Sequence, residues 1–218
     1  MKNEFVFTRK VDLCGKMSGI VTVPTGFDPE KESLPVIVFL HGAGEVGPDL
    51  EKVKIHGIPK IFSKDPDYHG LRVITLSPQC PAGMVWSNLV YPLRQWIDAA
   101  VTKLNGDPDR ISLTGLSMGG FGTWSVMTTM PEYFSCDAPI CGGGMSWLGY
   151  KLQGTKLRVY HGLDDKSVPF VYSQMMVDSA RKNGAQVEFF AYDQVGHGSW
   201  VKAYEQTDLI EWLAAQRR

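Results

Sequence analysis

The sequence predicts an α/β protein with a mainly parallel, twisted sheet and helices on both faces. Short runs of β-branched and aromatic residues alternate with longer runs of helical periodicity, the order in which a parallel sheet is wound. Val36-Ile37-Val38-Phe39-Leu40 is apolar at every position, which suits a strand covered on both sides. Several such runs end in polar or glycine-rich loops, and sheets of this kind keep their active sites beyond the carboxyl ends of their strands. A length of 218 residues suits one domain, 1–218, better than two.

The elements follow in order. Residues 4–23 alternate as two strands with a turn near Cys14-Gly15-Lys16, and Pro24 ends the second because proline cannot continue a ladder. The buried strand at 36–40 runs into His41-Gly42-Ala43-Gly44-Glu45-Val46-Gly47, a loop able to aim backbone amides at a ligand. That loop lacks the lysine and hydroxyl of a phosphate-binding loop and the spacing of a dinucleotide loop. A short helix is expected within 50–64 and a strand at 72–76. The helical spacing of Leu93, Trp96, Ile97, Ala100, Val101 and Leu104 predicts a helix stopped by Asn105-Gly106. Asp107-Pro108-Asp109-Arg110 reads as the turn into the next strand. Strands follow at 138–141, 156–160 and 187–192. Helices are expected at 121–130, 169–183 and 200–215. The interval between 141 and 156 leaves little room for a lid.

Bulk properties narrow the function. A net charge of -1 argues against nucleic acid or an anionic membrane as the main partner. No apolar run approaches the roughly 18 residues of a membrane span. Met1-Lys2-Asn3-Glu4-Phe5-Val6-Phe7 has no signal-peptide core, and the 4 Cys form no CxxC pair. The expectation is a cytoplasmic protein with free thiols and with neither cofactor nor metal.

The chemistry gathers around Gly115-Leu116-Ser117-Met118-Gly119, the pattern of a nucleophile elbow. There a sharp turn between strand and helix exposes the serine, and glycines let the two backbones pass closely. Ser117 is a weak nucleophile and needs a base. His197, in Gly196-His197-Gly198 after the last strand, is the natural one. The base needs an acid to hold its tautomer, and two adjacent carboxylates compete for that place, Asp164 and Asp165. The residue types alone do not separate them. Two amides must hold the oxyanion: Met118, next after the nucleophile, and Ala43 from the loop after the strand at 36–40. Trp86, Trp147 and Trp200 stand on loops near the site as a candidate aromatic wall for substrate or as loop packing, and Gln79 as a candidate polar contact at the rim. His41 reads as structural, and His56, His69 and His161 as loop or core histidines without metal-ligand spacing.

These segments resemble the α/β-hydrolase superfamily over essentially the whole chain, and within it the small microbial esterases similar to dienelactone hydrolases, phospholipase/carboxylesterases and feruloyl esterases. The resemblance rests on Phe39-Leu40-His41-Gly42-Ala43-Gly44, Ser77-Pro78-Gln79-Cys80-Pro81 with Trp86, Asp107-Pro108-Asp109-Arg110-Ile111, the elbow, His161-Gly162-x-x-Asp165-x-x-Val168-Pro169 and Gly196-His197. It implies an α/β-hydrolase fold without a large lid. It also places the acid on Asp165, the aspartate of the HGxxDxxVP pattern. Dienelactone hydrolases proper use cysteine where this chain has Ser117. Many relatives carry aspartate where this chain has Gly198, so no role of that residue transfers. The implied activity is hydrolysis of small or carbohydrate-linked carboxylic esters (acetyl, short acyl or hydroxycinnamoyl) through an acyl-enzyme. The rivals are a prolyl-oligopeptidase-type peptidase, whose filtering domain this chain has no room for, and a non-catalytic hydrolase-fold receptor.

Overall fold

In a computed structural model that describes residues 2–218, eight strands form one sheet. They are β1 (Glu4–Val11), β2 (Gly15–Thr22), β3 (Leu34–Leu40), β4 (Ile74–Pro78), β5 (Gly106–Leu116), β6 (Cys136–Ile140), β7 (Lys156–Gly162) and β8 (Gln186–Tyr192). Their spatial order is β1-β2-β4-β3-β5-β6-β7-β8. β1 and β2 form a hairpin and β2 is antiparallel to β4, while β4 through β8 run parallel.

The alternation of β3 shows why the centre of the sheet is apolar throughout. Val36, Val38 and Leu40 pack into one cluster with Leu93, Trp96 and Ile97 of α2 (Val90–Leu104). Ile37 and Phe39 enter the cluster on the opposite face, with Ile58 and Phe62 of α1 (Gly57–Phe62), Tyr204 of α5 (Ser199–Glu205) and Ile210 of α6 (Leu209–Ala215). A third cluster joins Trp124 and Met127 of α3 (Met118–Thr129) to Met176 and Val177 of α4 (Val171–Lys182), above Leu157 and Val159 of β7. A strand between two such layers has no wet side, so every residue must be apolar.

Several expected boundaries move. The C-terminal helix is two helices, because Thr207 turns its hydroxyl onto the Ala203 carbonyl and accepts from the Leu209 amide, replacing the helical ladder between them. Strand β5 begins at Gly106 and so absorbs the expected turn at 107–110, with a register irregularity against β3 between Leu34 and Val36. The segment 50–64 divides into a 3-10 stretch, Leu50–Ile55, and α1. The interval after β6 holds a 3-10 stretch, Ser146–Leu152.

The strand order positions the site. The chain leaves β3 toward β4 on one side, while β5 lies on the other, so their loops part and open a crevice beyond the carboxyl ends. Leu40 pairs with Gly115, and Leu116 with Ile140, which brings the loop at 41–47, the elbow and the loop after β6 together.

Candidate active site

Ser117 stands between β5 and α3 with φ 54 and ψ -116, a left-handed conformation foreign to a residue with a Cβ. Holding it there costs on the order of 1–3 kcal/mol. The surroundings enforce it. The Ser117 amide donates to the Ile140 carbonyl, and its own carbonyl accepts from the Phe121 amide. The elbow glycines are required sterically: a Cβ on Gly119 would lie 1.9 Å from the Leu40 carbonyl oxygen, and one on Gly115 would lie 2.5 Å from the Gly119 oxygen.

Three side chains from three loops meet in a line. His197 Nε2 lies 2.9 Å from Ser117 Oγ, and His197 Nδ1 lies 2.7 Å from Asp165 Oδ2. The second oxygen of Asp165, Oδ1, accepts from the amides of Ser167 and Val168, each at 2.9 Å. Burial pushes the Asp165 carboxyl up, but the bond from His197 and the two amides outweigh it, and the group is held below the ordinary carboxylate range. An ionised Asp165 makes Nδ1 of His197 the protonated nitrogen and leaves Nε2 free to accept from serine. Asp164, by contrast, is exposed and anchors its backbone amide on the Val195 carbonyl.

The loop after β3 is braced from beneath. His41 is buried, with Nδ1 donating to the Gly42 carbonyl at 2.6 Å and Nε2 accepting from the Cys80 amide at 2.9 Å. Burial depresses the imidazole to about 4, against the opposing pull of the Gly42 carbonyl, so it is neutral at physiological pH. Ala43 is exposed at the start of a 3-10 turn, Ala43–Glu45, and Met118 is the first residue of α3, where an amide has no partner within its own helix.

Two of the candidate substrate contacts lie beneath the loop, and for Trp86 it is the packing alternative that the structure shows. Gln79 is buried, and its amide donates to the carbonyls of Glu45 at 2.9 Å and Asp49 at 2.6 Å, so it ties the loop down from below instead of meeting a ligand at the rim. Trp86 is fully buried, donates Nε1 to the His41 carbonyl at 2.9 Å and stacks edge-on to the His41 ring, so it packs the loop rather than lining a wall. Trp200 lies edge-on to His197 with ring centres 5.3 Å apart. Trp147 is 72% exposed on the turn after β6.

The structure also brings in residues that the sequence reading left outside the site. Cys141, buried at φ 41, places its sulfur within 4.8 Å of the ligand atoms of Asp165 and His197. His161, fully buried in β7, lies 3.3 Å through Nε2 from Asp165 Oδ2. Its four-residue spacing from Asp165 was the one available signal, and a lone histidine at the end of an apolar strand reads first as core.

No protein-family model matches the chain. Among solved structures, a thermostable esterase aligns over 99% of this chain at 31% identity and a TM-score of 0.86, and this chain spans 64% of that protein's length. The feruloyl esterase module of Clostridium thermocellum, solved with sinapinate, aligns over 99% of this chain and 89% of its own at 14% identity and a TM-score of 0.76. The acylaminoacyl peptidase of Pyrococcus horikoshii aligns over 94% of this chain but only 39% of its own, at 16% identity and a TM-score of 0.66.

Proposed function

We propose that this chain, which has the α/β-hydrolase fold, is a serine carboxylic-ester hydrolase working through an acyl-enzyme. The observation that carries this is the hydrogen-bonded line from Ser117 Oγ through His197 to an ionised Asp165. Ser117 Oγ attacks the ester carbonyl while His197 Nε2 takes its proton. The carbonyl oxygen, now negative, is held by the amides of Ala43 and Met118. Asp165 stabilises the imidazolium, which then hands the proton to the departing alkoxide. Water, deprotonated by the same nitrogen, releases the acid and restores the serine.

The substrates we propose are small or carbohydrate-linked esters, hydroxycinnamoyl esters among them. The sinapinate complex of the feruloyl esterase module supports that reading. So do Trp147, open to solvent beyond β6, and Trp200 beside the base. The peptidase reading is weaker, because this chain matches well under half of the peptidase. Among the described residues, no helix is long and apolar enough to cross a membrane. We place the protein in the cytoplasm, where its free cysteines Cys14, Cys80, Cys136 and Cys141 suit a reducing compartment.

The test is labelling by a fluorophosphonate, followed by turnover of a panel of acetyl, butyryl, octanoyl and feruloyl esters beside a proline aminoacyl-amide. The expected result is stoichiometric labelling and hydrolysis of acetyl or feruloyl esters ahead of the rest. Labelling without turnover would favour a receptor, amide cleavage would favour a peptidase, and an octanoyl preference would overturn the substrate class.

A further inference from the structure

The triad acid sits between two histidines, and the mechanism above uses only one. His161 Nε2 lies 2.9 Å from the Val168 carbonyl oxygen and 3.3 Å from Asp165 Oδ2, the same oxygen that His197 binds. Its Nδ1 lies 2.7 Å from Ser173 Oγ on α4, and Ser173 lies 2.8 Å from the Gly142 carbonyl in the loop after β6. His161 and Ser173 are both fully buried.

Proton counting limits what this chain of contacts can be. A carbonyl only accepts, so the Val168 oxygen requires hydrogen on Nε2 of His161. Ser173 has one hydroxyl hydrogen and two acceptors within reach, Nδ1 of His161 and the Gly142 carbonyl. With His161 neutral, Nδ1 accepts from Ser173, and the hydrogen on Nε2 is shared between Val168 and Asp165. With His161 charged, Nδ1 donates to Ser173, which turns to Gly142. Burial lowers the proton affinity of His161, against the pull of the Val168 carbonyl and Asp165, which favours the neutral form. The ionisable groups around it are Asp165 from its own turn and His197 from the loop after β8, with Cys141 reaching the same carboxylate from the loop after β6.

We propose that His161 is a positioning residue for the proposed hydrolase: its Nε2–H, oriented by Ser173, holds the Asp165–Val168 turn and shares the negative charge of the carboxylate that serves His197. This rests on the triad reading and adds to it. A carboxylate with a second donor stabilises the His197 imidazolium less than a lone one, so His161 sets the pH at which the base becomes available. It also fixes the oxygen to which His197 is aligned. Misplacing a catalytic group by an ångström costs on the order of 100-fold.

The experiment compares His161→Gln with His161→Asn. The glutamine amide nitrogen falls near the place of Nε2 and keeps the donor, whereas the asparagine amide reaches only the place of Nδ1. Fluorophosphonate labelling of the parent is run first, since a parent that does not label defeats the hydrolase reading itself and not this one. In folded variants, His161→Asn is expected to lower kcat about 10- to 100-fold. The acid limb of its kcat/KM profile should move upward by roughly half to one pH unit. His161→Gln should keep the parent's limb. A parental limb in both variants, or the same displacement in both, would overturn the proposal. Because His161→Asn can fail to fold, nitrogen-15 NMR of the parent gives a check without mutation. A neutral His161 with hydrogen on Nε2 near pH 7 is required, and a hydrogen on Nδ1 alone would overturn the proposal equally.

Discussion

Two buried aspartates face opposite fates. Asp165, in the turn after β7, has its two oxygens engaged by two backbone amides and His197, with His161 close behind, and its carboxyl is held below the ordinary range. Asp137, near the start of β6, lies between Leu113 and Leu157 with one carboxyl oxygen buried and unpartnered, and burial drives its carboxyl well above the ordinary range. Burial is common to both, so burial does not decide the charge. Donors do: a carboxylate surrounded by N–H groups stays ionised and can serve a catalytic histidine, and one set among hydrocarbon keeps its proton.

The largest expected effect comes from removing the charge of Asp165, with its exposed neighbour Asp164 as the control. Asp165→Asn is expected to lower kcat on an aryl acetate by about 10⁴-fold, while Asp164→Asn stays close to the parent. The reverse ranking would move the acid to Asp164 and leave the buried donors around Asp165 as mere packing.

A buried histidine gives the second comparison. His41 accepts from the Cys80 amide only while neutral, and its folded value of about 4 lies below the ordinary value of 6.5. The unfolded chain therefore binds the proton first as pH falls. Stability present above pH 6.5 is lost as pH falls toward 4, amounting to roughly 3 kcal/mol from this group. Denaturant melts of the parent and of His41→Gln between pH 7 and 4 test it. The glutamine variant should lack this part of the decline.

Asp137 makes the opposite prediction. Its folded carboxyl titrates above the unfolded one, so its contribution is full below the unfolded value and is lost as pH rises through the gap. Asp137→Asn should match the parent's pH trend only in acid and should gain relative stability, about 1–3 kcal/mol, as pH rises. A parallel pair of pH–stability curves would mean that Asp137 is ionised in the folded state.

The smallest effect concerns the strained serine. Ser117→Gly relieves a positive φ and is expected to stabilise the fold by about 1 kcal/mol while removing the proposed nucleophile. A destabilised glycine variant would show that the elbow holds Ser117 without strain.

Legibility in the sequence followed the range of the interaction. The run 36–40 announced a strand covered on both faces, because a β-strand writes its surroundings into every position. Ser117 was legible through its glycines, since the close approach of Leu40 to Gly119 excludes any side chain there. His197 came from its place after the last strand. Asp165 was separable from Asp164 only through the family pattern, because which of two neighbours turns inward depends on the loop at 195–197 packing against them. The places of Gln79, read as a rim contact, and of Trp86, read as wall or packing, were hidden for one reason. Both follow strands on the way to the site, but the loop at 41–47 folds back over them, and that closure is a long-range event. His161 shows the same limit, since the partners that give it meaning come from α4 and the loop after β6.

The proposed hydrolase turns on Ser117, and the direct measurement is steady-state hydrolysis of an aryl acetate by the parent and by folded Ser117→Ala at neutral pH. The expected result is a parent with measurable turnover and a variant slower by about 10⁶-fold or somewhat less. A variant that hydrolyses the ester at the parent rate would contradict a nucleophilic role for Ser117.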